Sequence, residues 1–532
     1  MITVASYIIS ILLAPVISLV IYRLTLDPLR NYPGPIIAKF TDGYAGYHAS
    51  NKCLHLATFF DHEKYGPIYR QGPNRLVFNS VNALQDIYLN PRIGKGHVYS
   101  QSQFFEHKNI FGTLDMEGHR QKRKLYGQVL PDRSLREFEP AMRKEVDVFL
   151  RLLLESKSEI VNMTPLCERL TTDIAGQLGF GQSLSTQTEN TNRSLPRAMV
   201  SINFIISIFM AWPTISITWR FLRRLNRKNG SVYTSSLKRI INARMALPAD
   251  AKHDFYSITN SPSGTEHLRL DRGQLWAEVV FFLPAGGTTL SAALSAVFFY
   301  LSRHPDVYER LASEIRTAFS SGTSIQNGPQ LAGSKYLRAV IDETMRVSPP
   351  FVGTFWREPH SLKTESFVVD GHVIPRDTLV GVNPYCIMHN AEYFPDPFTY
   401  QPDRWLEPHS PSDSGESKQP RAAWKKAFSP FCLGETSCIG KPLAYLETSL
   451  VIATTLWYFD FDKAPGQAGK LGEGVEGRTD GRGRVGEYQL NDLLVSDHHG
   501  PNLVFKPRGE FLKELESSLE TRSDSLQRIH GL

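Results

Sequence analysis

Cys438 is the residue in this sequence best placed to do chemistry. It lies in the run Phe428-Ser429-Pro430-Phe431-Cys432-Leu433-Gly434-Glu435-Thr436-Ser437-Cys438-Ile439-Gly440-Lys441-Pro442, which leads straight into the helical pattern LAYLETSLVIATTLWYF. A sulfur just ahead of a helix meets that helix's unpaired amides and the positive end of its dipole. The spacing therefore predicts a thiol with a lowered pKa, fit to bind a metal ion. Pro442 suits the first helical turn, where a missing N–H costs nothing. Gly434 and Gly440 let the backbone approach a flat ligand closely, and Phe431 is placed to shield the sulfur from water. Taken alone, a glycine-flanked cysteine is more often a buried structural thiol. Cys432 invites a zinc reading, but no further pair of Cys or His nearby completes four ligands.

Three other groups of residues have spacing with physical meaning. In Glu343-Thr344-Met345-Arg346 a separation of three puts carboxylate and guanidinium on one helical face. Read singly, the pair is an ordinary surface ion pair. The run His119-Arg120-Gln121-Lys122-Arg123-Lys124, taken by itself, reads as a solvated basic face. Residues 274–304 form a long apolar helical pattern interrupted by Pro284, Gly286 and Gly287. Proline deletes a backbone hydrogen bond there and the glycines leave a bare surface on which a small ligand fits, although a kinked core helix has the same composition.

Together these groups resemble the cytochrome P450 family. The cysteine run is similar to that family's signature Phe-x-x-Gly-x-Arg-x-Cys-x-Gly at Phe431, Gly434, Cys438 and Gly440, with Thr436 standing at the arginine position. Glu343 to Arg346 and Pro402-Asp403-Arg404-Trp405 resemble its Glu-x-x-Arg and Pro-Glu-Arg-Phe elements, and the resemblance implies a structural triad in which Arg404 is a bidentate partner of Glu343. The resemblance, which runs from Tyr32 to about Arg508, implies a mainly α fold with small β-sheets. It also implies haem b (iron protoporphyrin IX) with Cys438 as axial thiolate ligand, and His119, Arg123 and Arg357 near its propionates. Aligning Ala285-Gly286 with the motif Ala-Gly-x-Asp/Glu-Thr makes Thr289 the oxygen-side hydroxyl and puts Thr288 where an acid belongs; a shift of one residue makes it Thr288 instead. The implied reaction inserts one oxygen atom from O2 into a lipophilic small molecule. Electrons come from NADPH through a membrane-bound NADPH–cytochrome P450 reductase, and the sequence looks most like fungal microsomal members that tailor secondary metabolites. The missing acid leaves open a haem-thiolate isomerase, dehydratase or peroxygenase. The two motif departures together leave open an inactive haem-binding scaffold.

The elements that must hold these residues begin with an anchor. From Ile2 to Tyr22 there is no charged side chain, and as a helix this stretch spans roughly 31 Å, about a bilayer core. Cations follow only at Arg23, Arg30 and Lys39, which by the positive-inside rule puts the body in the cytosol of a single-pass membrane protein, with the endoplasmic reticulum implied by the resemblance. We expect an anchor at 1–24, a proline-rich hinge at 25–39 around Tyr32-Pro33-Gly34-Pro35, a catalytic domain at 40–509 and a charged tail at 510–532. Strands at Ile68-Tyr69-Arg70 and Arg75-Leu76-Val77-Phe78, split by Gly72-Pro73-Asn74, predict a small hairpin sheet, and helices dominate from about 115 to 350. Residues 466–486, rich in Gly, Arg, Asp and Glu, read as a flexible surface insertion. The uncharged stretch 198–219, followed by Arg220, Arg223, Arg224, Arg227 and Lys228, reads as core or as contact with membrane lipid, and residues 97–114 and 198–215 are expected to line the pocket. Lys122, Lys425, Lys426 and Lys441 are candidates for a reductase-docking face. Hydrophobic residues at 41% and charged residues at 21% exclude global disorder, and a dispersed net charge of +6 gives no nucleic-acid footprint. Five cysteines are too few and odd in number for a disulfide framework.

Overall fold

The structure, a computed structural model, describes residues 13–517 except 104–105, 131, 219–226, 249–250, 253, 260–271, 360–365, 407–423, 510 and 512. The start of the apolar run, Arg220, Arg223 and Arg224, and most of the charged tail lie outside the described residues.

Helices carry the body: α1 (Met116–Val129), α2 (Asp132–Glu155), α3 (Met163–Phe180), α4 (Leu195–Ala211), α5 (Arg227–Met245), α6 (Arg272–Leu301), α7 (Pro305–Ala318), α8 (Lys335–Val347) and α9 (Lys441–Tyr458). Their ends follow local chemistry. Asp115 accepts from Gly118 N at 2.6 Å to start α1, Asn162 accepts from Thr164 N at 3.0 Å to start α3, and Gly181, at φ 63°, closes α3 in the left-handed conformation. The centre is α6, whose second half from Leu294 to Leu301 is buried and packs on α3, α8 and α9.

The expected interruption of α6 is absent, since the helix runs unbroken through Pro284. Proline has no N–H for the carbonyl four residues earlier, that of Val280, and the hydroxyl of Tyr233 on α5 donates to that carbonyl instead. One turn on, Thr288 and Thr289 bond back to the carbonyls of Pro284 (2.7 Å) and Ala285 (2.5 Å), while Thr171 of α3 donates to Gly287 O at 2.7 Å. The helix thus continues through its proline because neighbouring hydroxyls satisfy its backbone.

The predicted hairpin belongs to a five-stranded sheet. In the order β1 (Ile68–Gly72), β2 (Arg75–Phe78), β5 (Leu379–Val382), β4 (Arg357–Pro359) and β3 (Ile93–Lys95), only the β2–β5 pair is parallel. A hairpin of β6 (Leu490–Leu493) and β7 (Val495–His498) lies against α4 and α6. A further sheet joins Ile160–Asn162, Asn502–Pro507 and Phe459–Lys463 at the far end of α9.

Two connecting segments, expected as a flexible insertion at 466–486 and a hinge at 25–39, are both tied to the body. The stretch 466–486 is tied to the body: Glu473 pairs with buried Arg303 at 3.0 Å and with Lys463, and Arg303 also donates to Gly469 O at 2.6 Å. Its glycines at 472, 477 and 481 take positive φ, so here they build tight turns, where composition had suggested a linker. The proline-rich segment is also clamped. Asp27, buried, accepts from Arg70 of β1 at 2.6 Å and from Arg23 at 2.8 Å, and Arg70 N donates to Pro33 O at 2.7 Å. Gly34 lies so close to the sheet that an added Cβ would stand 2.4 Å from Arg70 O.

Candidate active site

The cysteine loop is shaped by its backbone. Cys438 N donates to Phe431 O at 2.8 Å, and Cys432 (φ 57°) and Gly434 (φ 70°) turn the chain through left-handed conformations. Gly434 is obligatory for a reason the sequence did not reveal. A Cβ there would sit 1.9 Å from Tyr88 O, so it packs on the body and does not line the cavity; its expected contact with a flat ligand is corrected. Gly440 does line the cavity, and its missing Cβ would lie 3.7 Å from Cys438 Sγ. Phe431 packs on Tyr445 with ring centroids 5.5 Å apart.

Cys438 presents its sulfur to a cavity of about 1210 Å³ between α6 and α9, exposed there although protein encloses the site. Small-molecule sites usually measure roughly 300–1,000 Å³, so this one has room for a flat macrocycle and a second molecule. Burial pushes the Cys438 thiol above its ordinary value, against the lowering influence of the Gly440 and Lys441 amides and of Arg123. The helix end alone therefore does not produce the lowered pKa that the spacing suggested. A coordinated cation would deprotonate such a thiol outright.

The expected cations converge at the same end. Arg123 Nη1 donates to Ser437 O at 2.7 Å, and Arg357 Nη2 donates to Thr436 Oγ1 at 2.6 Å, so the residue at the motif's arginine position serves as an acceptor. His119 is buried with Nδ1 lacking a hydrogen-bond partner. Sequence reasoning missed Lys95, which stands opposite Arg357 across the β3–β4 pair and donates to Ile110 O (2.6 Å) and Phe111 O (3.0 Å). Like charges in direct cross-strand register repel. Burial, with Arg357 adding repulsion, pulls Lys95 down to about 7; burial and then Lys95, Arg123 and Arg357 pull His119 down to about 3. An orphaned imidazole nitrogen and three mutually repelling cations fit a ligand bearing two carboxylates at its edge, as haem does.

Across the cavity from Cys438, Thr289 lines the wall with Pro284, Ala285 and Gly286. Thr288 does not. Successive helical residues point about 100° apart, and its hydroxyl turns behind α6, where Asn203 Nδ2 donates to it at 3.2 Å. The alternative alignment that made Thr288 the oxygen-side hydroxyl is corrected accordingly. Tyr99, Gln103 and Phe111 from 97–114, and Ile202, Ile206 and Phe209 from 198–215, do face the cavity. Lys122 is withdrawn from the docking face because it turns inward to buried Glu278; Lys425, Lys426 and Lys441 are exposed.

Glu343 lies behind the site, wholly buried, holding Arg346 through two contacts of 2.8 Å and Arg404 at 3.1 Å. Trp405 Nε1 and Gln401 N, each at 2.9 Å, complete its shell. Burial alone would raise Glu343, but Arg346 and Arg404 hold it below the usual carboxylate range.

Comparison with known proteins agrees with this geometry. The family model described as Cytochrome P450 matches residues 48–473. The chain is 32% identical to cytochrome P450 monooxygenase atnE of Emericella nidulans, over 91% of this chain and 93% of that relative. It is 31% identical to cytochrome P450 monooxygenase poxM of Penicillium oxalicum, over 92% of each chain. With cytochrome P450 monooxygenase AKT7 of Alternaria alternata it shares 30% over 93% of this chain and 96% of the relative. Similarity of that extent, over a fold that aims a loop cysteine and a set of basic side chains into one large cavity, places the chain in the cytochrome P450 family as a haem-thiolate monooxygenase.

Proposed function

We propose that Cys438 ligates the haem iron, that Lys95, His119, Arg123 and Arg357 hold the propionates, and that the substrate is a lipophilic secondary metabolite entering between residues 97–114 and α4. Bound haem supplies the activation of O2 needed to insert one oxygen atom into such a molecule. The protein's part is to hold the sulfur beneath an apolar chamber and to neutralise the ligand's carboxylates. Ile202, Ile206, Phe209, Phe111 and Phe281 would position an apolar substrate and exclude water, and Thr289 would offer a hydroxyl on the oxygen side. The observation that carries the reading is the opening of Cys438 and the basic cluster into one cavity.

Electrons would come from NADPH through the reductase docked at Lys425, Lys426 and Lys441. An endoplasmic-reticulum membrane anchor is supported by the helix Leu13–Leu26, whose apolar side chains, Val16, Ile17, Ile21 and Leu24 among them, are exposed. The absorption spectrum of the reduced, carbon-monoxide-bound protein tests the ligand. We expect the shifted thiolate band in the wild type and its loss in Cys438→Ser. A band unaffected by the substitution overturns the assignment.

A further inference from the structure

Of the described side chains that α4 and α6 turn into the large cavity, only Asn203 and Thr289 are polar. Thr289 has spent its proton on Ala285 O. Asn203 stands among Ile202, Ile206 and Phe209, and only part of its amide is satisfied by the protein. Its Nδ2 donates to Thr288 Oγ1 at 3.2 Å, and Oδ1 has no hydrogen-bond partner among the described residues. The residue is half-buried, and the space it opens onto is the cavity.

A carboxamide turned over keeps its shape, so the end that faces a cavity is decided by hydrogen-bond chemistry. Here Thr288 decides it. A threonine hydroxyl has one proton, and Thr288 gives that proton to Pro284 O at 2.7 Å. Its oxygen can then only accept, so the end of Asn203 held against it is the NH2 group. The carbonyl is the end left for the cavity. Thr288 sits on the face of α6 turned away from the cavity, and from there it grips the amide from behind.

A carbonyl oxygen without a donor in an apolar chamber is costly, and a site of that kind discriminates strongly between ligands that supply the missing hydrogen and those that do not. Charge is also restricted. The described lining residues include no carboxylate, and their only Lys, Arg and His are Lys95, Arg123, Arg357 and His119, the group assigned to the haem carboxylates. An ionised substrate would find no counter-ion in the rest of the chamber, where burying a lone charge is prohibitive. Resting on the monooxygenase reading, we propose that the substrate is a neutral lipophilic molecule bearing a hydroxyl or N–H group, which donates to Asn203 Oδ1. Thr288 is the positioning residue that fixes this acceptor. The substrate is thus held by one polar group while its apolar body fills the chamber between α4 and α6.

The test uses the full-length holoenzyme and three rigid neutral probes of nearly one shape: a decalin alcohol, its methyl ether and the corresponding decalone. Binding is read by equilibrium dialysis, and the quantity compared is the ratio of alcohol to ketone affinity. That ratio should be about tenfold higher in the wild type than in Asn203→Leu, the worth of one neutral hydrogen bond, and the alcohol-to-ether ratio should follow it. Equal ratios in the two proteins, or a wild type that favours the ketone, overturn the proposal. Asn203→Leu should keep its haem content and its reduced carbon-monoxide band. Thr288→Val frees the amide to turn over and should bring the alcohol-to-ketone ratio to within about twofold of that in Asn203→Leu, while Thr288→Ser, which keeps the hydroxyl, should restore it. A merely structural role for Thr288 would weaken all three probes alike, and that result overturns its part in fixing the acceptor. If Asn203→Leu fails to fold, the two Thr288 variants decide. If the wild type lacks the thiolate band, the haem-ligand reading fails instead, and the dialysis ratios still decide whether Asn203 receives a donor.

Discussion

Two groups of largely buried cations serve the cysteine loop, and they are built on opposite terms. Around Glu343, two guanidiniums close on one carboxylate, and the surplus charge is met by the carbonyls of Met388 and Pro397, at 2.9 and 2.7 Å from Arg346 Nη1. At the end of the large cavity, Arg123 and Arg357 find only neutral hydrogen-bond partners among the described residues, and Lys95 and His119 are driven towards neutrality by burial and then by their cationic neighbours. The first group is complete within the chain and stabilises the fold. The second holds a mutual repulsion that buried Glu278 offsets in part at Lys95 and that an anionic ligand would relieve further. The contrast separates structural arginines from ligand-holding ones more sharply than burial does, since Arg346 and Arg357 are both buried.

The comparison can be broken most forcefully at Glu343. Glu343→Gln leaves two buried guanidiniums uncompensated and should lower unfolding free energy by about 3–5 kcal/mol, read from the denaturant midpoint of the haem-free protein. Because Glu343 is held below its ordinary 4.5, its stabilising share is present above that value and disappears as pH falls through the lower folded one. An unchanged midpoint in the variant would show that the triad is not a stability element.

Lys95→Met should do the reverse. It removes one member of the repelling set, so the haem-free protein should be no less stable. Haem transfer to an acceptor apoprotein should quicken about thirtyfold, the equivalent of ~2 kcal/mol for a charge-assisted bond. With its folded pKa near 7 and its ordinary value 10.5, Lys95 favours the unfolded state between them, so wild-type stability gains with pH across that window and the variant lacks that gain. Equal haem retention in the two proteins would remove Lys95 from the ligand-holding set. The smallest change is Thr436→Val, which deletes one of the acceptors of Arg357 and should cost ~1 kcal/mol in haem retention, read from the same haem-transfer rate.

How much of this was legible depends on how local each signal was. The cysteine loop, the Glu343 pair and the small residues of α6 announce themselves because their chemistry lies within one turn or one helical repeat. Lys95 does not, since its meaning comes from a strand pairing that sets it opposite a residue more than two hundred positions away. Direction was the other blind spot. Composition names Thr288 and Thr289, Gly434 and Gly440, or Lys122 and Lys441 as equivalents, and only the packed helix or loop decides which of each pair faces the cavity or the solvent. The mainly α fold with small sheets was readable from hydrophobic period, but the ties at Arg303 and Arg70 were not. Each depends on a partner from a distant segment, and an arginine's partner is invisible in a string of letters.

Asp27 grips the end of the apolar N-terminal helix through Arg23 and the edge strand through Arg70, so that helix and sheet share one joint. A lipid bilayer that fixed the tilt of the helix would, through this joint, also fix the compass heading of the whole body. The mouth of the chamber would then face a constant depth of the membrane without any second attachment. Asp27→Asn would loosen that joint and leave the contact of Arg70 N with Pro33 O among the ties that still set the heading.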